Sequence, residues 1–206
     1  MAELWIGSNN KKKRAELTRL LEPLGITLLT PDELGSPFDP IEDQPDFAGN
    51  ARKKATLLAN LSGGIALADD SGLCVDALDG RPGVLSARYG GPGLDDRGRL
   101  MRLLEEMRDV PAAKRTARFV CSLCVAAPGD RVLAGIEAAC EGVLHTQPSG
   151  NEGFGYDPIF VPAEYANDMS QSFAVLGKEI KDKLSHRGKA LQQLVCDLPR
   201  LIADAN

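Results

Sequence analysis

The 206-residue chain is 43% apolar and 26% charged, enough apolar material for a substantial core without disulfide or metal staples. Its net charge of −5 argues against a broad nucleic-acid surface, which would rest on basic residues neutralising phosphates, and leaves room for a small anion met by local charges. No apolar run approaches the roughly 20 residues of a spanning helix, and residues 1–10 lack the basic-then-apolar pattern of a signal peptide, so no membrane contact and a cytoplasmic location are expected.

Leu4–Gly7 is a short apolar segment closed by Ser8-Asn9-Asn10, the pattern of a strand ending in a tight turn. Ala15, Leu17, Leu20, Leu21 and Leu24 form a stripe that predicts a helix from about Lys12 to Leu21, stopped by Pro23 and Gly25. The basic run Lys11-Lys12-Lys13 therefore opens a helix just after a strand, where free amides and the helix dipole favour an anion. It does not match G-x-x-x-x-G-K-[ST], and a solvated basic face is the alternative reading.

Ile26–Leu29 reads as a second strand, and residues 30–45, with four prolines and five acidic residues, as a surface loop that could serve as a lid. Asp46 is a cap for a helix carrying Phe47, Ala51, Ala55, Leu58 and Ala59 on one face and ending near Ser62 at Gly63-Gly64. Ile65–Ala68 is predicted as a buried strand that delivers Asp69 and Asp70 at its C-terminal edge. Two adjacent carboxylates leaving a buried strand need compensation by a cation or by amides. Mg²⁺ suits them as a hard ion that also takes phosphate oxygens; ordinary capping aspartates are the alternative.

The glycine-rich stretch Leu78–Gly93 predicts irregular backbone, followed by a helix over Asp95–Met107. Ala117–Ala126 and Val132–Val143 read as two antiparallel strands joined at Pro128-Gly129-Asp130. Cys121 and Cys124 lie three apart in such a strand, on opposite faces and with no second pair, so core packing is expected rather than zinc or a disulfide.

Gly153-Phe154-Gly155-Tyr156-Asp157-Pro158 combines permissive backbone with two aromatics and an acid, suited either to wrapping a planar base or to an ordinary turn with its rings in the core. After the apolar run Ile159–Val161, a last helix is predicted over Ser185–Ala205, with Pro199 as a late kink. Its opening, Ser185-His186-Arg187-Gly188-Lys189, offers hydrogen-bond donors that match the carbonyl of a 6-keto purine and mismatch adenine, or else a plain helix cap. With no repeat and no low-complexity linker, residues 1–206 are expected to form one domain.

In this order the segments SNNKKK, FAGNARKKA, ADDSGL, PGVLSARYGG, GFGYDPIF and KDKLSHRGKAL cover nearly the whole chain and resemble the inosine triphosphate pyrophosphatase, or Ham1-like, family. The resemblance implies an α/β fold with a long mixed sheet, flanking helices and two lobes around a deep cleft, and a homodimer. It implies Mg²⁺-dependent hydrolysis of inosine, deoxyinosine and xanthosine triphosphates to monophosphate and pyrophosphate. Ser8, Asn9, Asn10, Lys11, Lys12 and Lys13 match the triphosphate turn, Asp70 the metal-binding proton acceptor with Asp69 beside it, and Ser71 a substrate contact. Phe154, Gly155, Tyr156, Asp157, His186 and Arg187 match the base pocket, and Lys181 a lysine that reaches the site.

One departure is Gly49, where the family pattern F-x-E-N-A carries a glutamate near the metal; the resemblance then implies an ion resting on the aspartates, waters and substrate phosphates. Another is Asn9 in place of a common glycine, a milder change because Asn tolerates left-handed backbone. Rival readings are a Maf-like pyrophosphatase with another base preference, against which the S-H-R motif argues, and a nucleotide-binding protein without catalysis.

Overall fold

The computed structural model describes residues 2–205, which form an α/β fold with a mixed six-stranded sheet and flanking helices. The strands are β1 (Glu3–Gly7), β2 (Thr27–Leu29), β3 (Ala66–Val75), β4 (Thr116–Ala127), β5 (Arg131–Leu144) and β6 (Phe160–Pro162). The helices are α1 (Lys11–Leu21), α2 (Phe47–Ser62), α3 (Asp96–Glu106), α4 (Phe173–Leu184), α5 (His186–Val195) and α6 (Leu198–Ala205). Strand order is β2-β1-β3-β4-β5-β6; β1 runs parallel to β2 and β3, while β6 is antiparallel to β5. None of the described helices is long and apolar enough to cross a membrane.

The chain divides into two compact units. The first holds the residues up to Asp70, Cys121–Ala138 and those from Ala190 onward. One of its cores joins Leu4 and Ile6 of β1 to Leu17 and Leu21 of α1 and to Leu191, Leu194 and Leu198. The other packs Ala51, Ala55, Leu58 and Ala59 of α2 on Ala66, Ala68, Cys124 and Ala126. Small side chains let this helix lie close to the strands: a Cβ at Gly7 would stand 2.9 Å from that of Ala68 and 3.3 Å from Leu58. Both ends of α2 are set by sequence, Asp46 accepting from the Gly49 N–H at 2.7 Å and Gly63 turning left-handed at φ 70°. Cys121 and Cys124 fall into different cores of this unit, as strand alternation requires.

The second unit comprises Ser71–Val120 and Ala139–Lys189. Leu73, Leu100, Leu103, Met107, Phe119, Phe160 and Phe173 fill its core, where Phe119 and Phe160 lie 4.6 Å apart between ring centroids. Arg115 is buried, yet its guanidinium donates to the carbonyls of Met107, Leu144 and His145 at 2.7, 3.0 and 3.3 Å, so one side chain satisfies carbonyls at the ends of both α3 and β5.

Three elements differ from their sequence expectation. β3 does not end at Ala68 but runs on to Val75, because Leu73 and Val75 continue its buried pattern beyond the acidic pair. Asp69 and Asp70 thus sit in mid-strand. α4 carries no continuous helical signature because Gly177, at φ 77° and ψ 172°, breaks it internally. The last helix is two, with Pro199 in the first turn of α6, where a missing N–H costs nothing.

Candidate active site

In the first unit the acidic pair is almost wholly buried, Asp69 at 1% and Asp70 at 5% exposure. Successive strand residues point to opposite faces, and the two carboxylates take different partners. Lys13 Nζ of α1 reaches Asp69 Oδ2 at 3.2 Å. On α2, Asn50 Nδ2 donates to Asp70 Oδ2 at 3.1 Å and Lys54 Nζ to Asp70 Oδ1 at 2.9 Å. Burial pushes the Asp70 carboxyl above its ordinary pKa against the pull of Lys54 and Lys13. Burial by itself would depress Lys54, but Asp70, Asp69 and Glu42 more than offset it and hold its pKa above the ordinary lysine value. Each buried charge is therefore matched, the condition under which charges persist inside a protein.

The turn that leads into α1 is built on its own side chains. Ser8 Oγ accepts from Asn10 N at 3.2 Å, and Asn10 caps the helix by accepting from Lys12 N and Lys13 N at 2.9 and 3.2 Å. Lys11 and Lys12 are exposed, while Lys13 turns inward to Asp69. Asn9 uses its side chain, donating to Phe38 O at 2.8 Å. Left-handed backbone plays no part there, since among the described non-glycine residues only Asp79 and Asp130 have positive φ.

Residues 39–45 form a strap fastened to α2. Glu42 accepts from Lys54 Nζ and Asp43 from Lys53 Nζ, each at 2.8 Å, and the Gln44 N–H donates to Asn50 Oδ1 at 3.1 Å. Gly49 occupies the third position of α2, where a glutamate would close a capping box. A Cβ there would stand 2.8 Å from that of Gln44. Position 49 thus lies at the helix start, and Glu42 brings a carboxylate to Lys54 beside Asp70.

In the second unit Asp157 organises the 153–157 loop. Its Oδ2 accepts from the Phe154 N–H at 2.8 Å and from Lys181 Nζ at 2.7 Å, and that ammonium lies 4.6 Å from the Phe154 ring centroid. A Cβ at Gly153 would fall 2.1 Å from the same Asp157 oxygen, and its φ of 76° independently favours glycine. Gly155 N donates to Asp96 Oδ2 at 3.3 Å. Tyr156 points into the core, its hydroxyl donating to Ser86 O at 3.0 Å, and burial raises its phenol pKa.

His186 and Arg187, expected as donors, are 5% and 2% exposed. The His186 ring stacks on Phe119 at 4.9 Å, and Arg187 donates to Ser71 Oγ at 2.9 Å. A Cβ at Gly188 would lie 1.9 Å from Asp182 O, so the sharp joint between α4 and α5 requires glycine.

Asn50, Lys54 and Glu42 complete the environment of Asp70 and escape the motif reading. The signal for Asn50 and Lys54 lies in FAGNARKKA, where a lysine and an asparagine four apart adjoin the apolar stripe of Ala51, Ala55 and Leu58; Glu42, in the loop before it, has no such signal. Among the described residues no three or more His, Cys, Asp or Glu gather as a metal cage. Magnesium needs no such cage, being held by one or two carboxylates with waters and substrate phosphates, and Asp69 and Asp70 supply oxygen donors of that kind.

Comparison with known proteins matches residues 4–196 to the Ham1 family. The dITP/XTP pyrophosphatase of Desulforamulus reducens is 45% identical over 199 residues, 97% of this chain and 96% of that protein. That of Rhodopirellula baltica is 42% identical over 202 residues, 98% and 95% of the two chains. The structure of a HAM1 protein from Coxiella burnetii superposes with a TM-score of 0.85 at 36% identity, covering 97% of this chain and all (100%) of that one.

Proposed function

The chain belongs to the Ham1 family, and from that membership we propose that it hydrolyses non-canonical purine nucleoside triphosphates, dITP, ITP and XTP, to monophosphate and pyrophosphate. The observation that carries the reading is the buried Asp70 carboxylate in mid-strand, gripped at both oxygens by α2 and neighboured by the Asp69–Lys13 pair. A carboxylate whose pKa is raised by burial is a stronger base than one in water, and Asp70 takes the proton of the attacking water. Lys13, with the Ser8–Lys12 turn, receives the triphosphate. Mg²⁺ would be held by Asp70 with Asp69 and, when bound, neutralises phosphate charge.

Base selection rests on the second unit. Phe154 offers a ring for stacking, Lys181 and Asp157 fix that ring's loop, and the backbone of Gly155 and Tyr156 shapes it. Arg187 and His186 supply donors toward a 6-keto oxygen, with Ser71 shared between Arg187 and the substrate. Adenine would face those donors with its amino group and lose by unpaired polar contacts. The reading treats residues 1–206 as one catalytic domain that works as a homodimer on the cytoplasmic nucleotide pool.

Asp70→Asn tests the assignment. It is expected to lower turnover by about 100-fold or more, the usual weight of a general base, while binding of ITP measured by calorimetry stays within about threefold. Turnover equal to wild type would remove Asp70 from the chemistry.

A further inference from the structure

We propose that Asn50 is a positioning residue that locks the Asp70 carboxylate in place and, through the same amide, fastens the 39–45 strap over α2. The inference rests on the reading of Asp70 as proton acceptor and adds to it a residue that neither touches substrate nor takes part in proton transfer.

Asn50 is 1% exposed, and both ends of its amide are used: Oδ1 accepts from Gln44 N at 3.1 Å and Nδ2 donates to Asp70 Oδ2 at 3.1 Å. One turn further along α2, Lys54 Nζ contacts Glu42 Oε1 at 2.8 Å and Asp70 Oδ1 at 2.9 Å. Residues four apart share a helix face. The strap is therefore joined to Asp70 by two parallel bridges, Gln44 through Asn50 to one carboxylate oxygen and Glu42 through Lys54 to the other.

The two bridges differ in chemistry. Lys54 supplies charge, which any ammonium that reached the spot would also supply. Asn50 supplies direction: a carboxamide carries an acceptor and a donor on one short planar group. Its orientation is set by its neighbours, because the Gln44 N–H demands an oxygen and the Asp70 carboxylate demands an N–H. Aspartate at position 50 could still accept from Gln44 but would set a second carboxylate against Asp70. An aliphatic residue would leave the buried Asp70 oxygen and the half-buried Gln44 N–H without this partner together. With both oxygens held from α2, the carboxylate plane is fixed before substrate arrives, and proton transfer needs no reorientation.

The experiment compares wild type, Asn50→Asp and Gln44→Pro, reading steady-state kinetics with dITP together with hydrogen exchange in metal-free, nucleotide-free protein. For Asn50→Asp the expected result is a kcat about 100-fold lower, KM within about threefold and wild-type exchange protection at Gln44, since its acceptor is retained. Gln44→Pro removes the anchoring N–H together with the exposed side-chain donor to Asp43 Oδ1; it is expected to lower kcat several-fold and to speed exchange across Ile41–Asp43. A folded Asn50→Asp protein with wild-type kcat overturns the proposal. Should that variant fail to fold by circular dichroism, a Gln44→Pro protein with unchanged kcat and unchanged strap exchange overturns it instead. Failure of the underlying reading looks different: wild type itself would then show no turnover of dITP.

Discussion

Lys54 sits where three carboxylates converge, and its removal leaves the buried Asp70 and the half-exposed Glu42 without the cation they contact. Breaking one side of a buried pair costs about 3–5 kcal/mol, so Lys54→Met is expected to unfold at clearly lower temperature in a thermal melt. Its pH dependence follows from the raised lysine pKa. While its carboxylate partners are ionised, the lysine's share is present below the ordinary lysine value and is lost as pH rises through the folded one, so wild type and variant converge in alkaline buffer. Of this environment the sequence displays Asp69, Asp70 and Lys13, because adjacent acids and a basic turn are local patterns. Asn50, Lys54 and Glu42 matter through the approach of α2 and a 16-residue loop to β3, which no local period encodes.

Between sequence elements, Tyr89 ties the irregular 78–93 stretch to α3: its hydroxyl donates to Glu106 Oε2 at 2.7 Å, with Arg81 and Arg102 on the same carboxylate. Burial and the Glu106 contact push the Tyr89 phenol up to about 12, and the same hydrogen bond lowers Glu106. Tyr89→Phe is expected to cost about 1 kcal/mol at neutral pH, the partly solvated site holding it near the low end for hydrogen bonds to charged groups. The sign is fixed by linkage: the Tyr89 share is present below the free phenol value of 10.0 and fades as pH climbs toward about 12, while the Glu106 share is lost as pH falls through its lowered pKa. Urea melts of the two proteins at neutral pH and above pH 10 check both the size and the direction.

Gly177 bends α4 just before the turn that presents Lys181. Alanine there would need a conformation that only glycine adopts readily, so Gly177→Ala is expected to cost about 1–3 kcal/mol and to weaken dITP binding through Lys181. Nucleotide titration monitored with a thermal melt would detect both. Helix α2 is readable to the residue because Asp46 and Gly63 cap it visibly, whereas α4 is hidden by the same glycine that bends it. The extent of β3 is masked because polar residues in mid-strand imitate its end; β1 pairs only as far as Ala68, and the place of β3 beside β4 with the burial of Leu73 and Val75 carries it onward.

Across the whole molecule, each unit closes its own core, and the thiols report on both. Cys121, Cys124 and Cys140 are buried, Cys74 is half-buried and Cys196 exposed. Burial pushes the Cys124 thiol up to about 11 and the Cys140 thiol up to about 12, which suppresses the reactive thiolate. Iodoacetamide in native buffer is expected to modify Cys196 first and to reach Cys121, Cys124 and Cys140 only in denaturant, as read by mass spectrometry. Early modification of Cys121 and Cys124 would contradict the packing described for the first unit. At this scale the six motifs in register disclose the family and the α/β class, since each marks a different segment of one chain. Individual side-chain contacts are less legible, since the Tyr156 hydroxyl meets Ser86 O and the His186 ring meets Phe119 across long sequence separations.

Selective pyrophosphohydrolysis is tested by product analysis after incubation with dITP, XTP, GTP, ATP and CTP, each with Mg²⁺ and with chelator. Nucleoside monophosphate and pyrophosphate are expected from dITP and XTP in the presence of Mg²⁺, little from GTP, none from ATP or CTP, and none with chelator. Equal turnover of ATP would refute the selectivity, and release of orthophosphate with nucleoside diphosphate, in place of pyrophosphate with nucleoside monophosphate, would refute the cleavage.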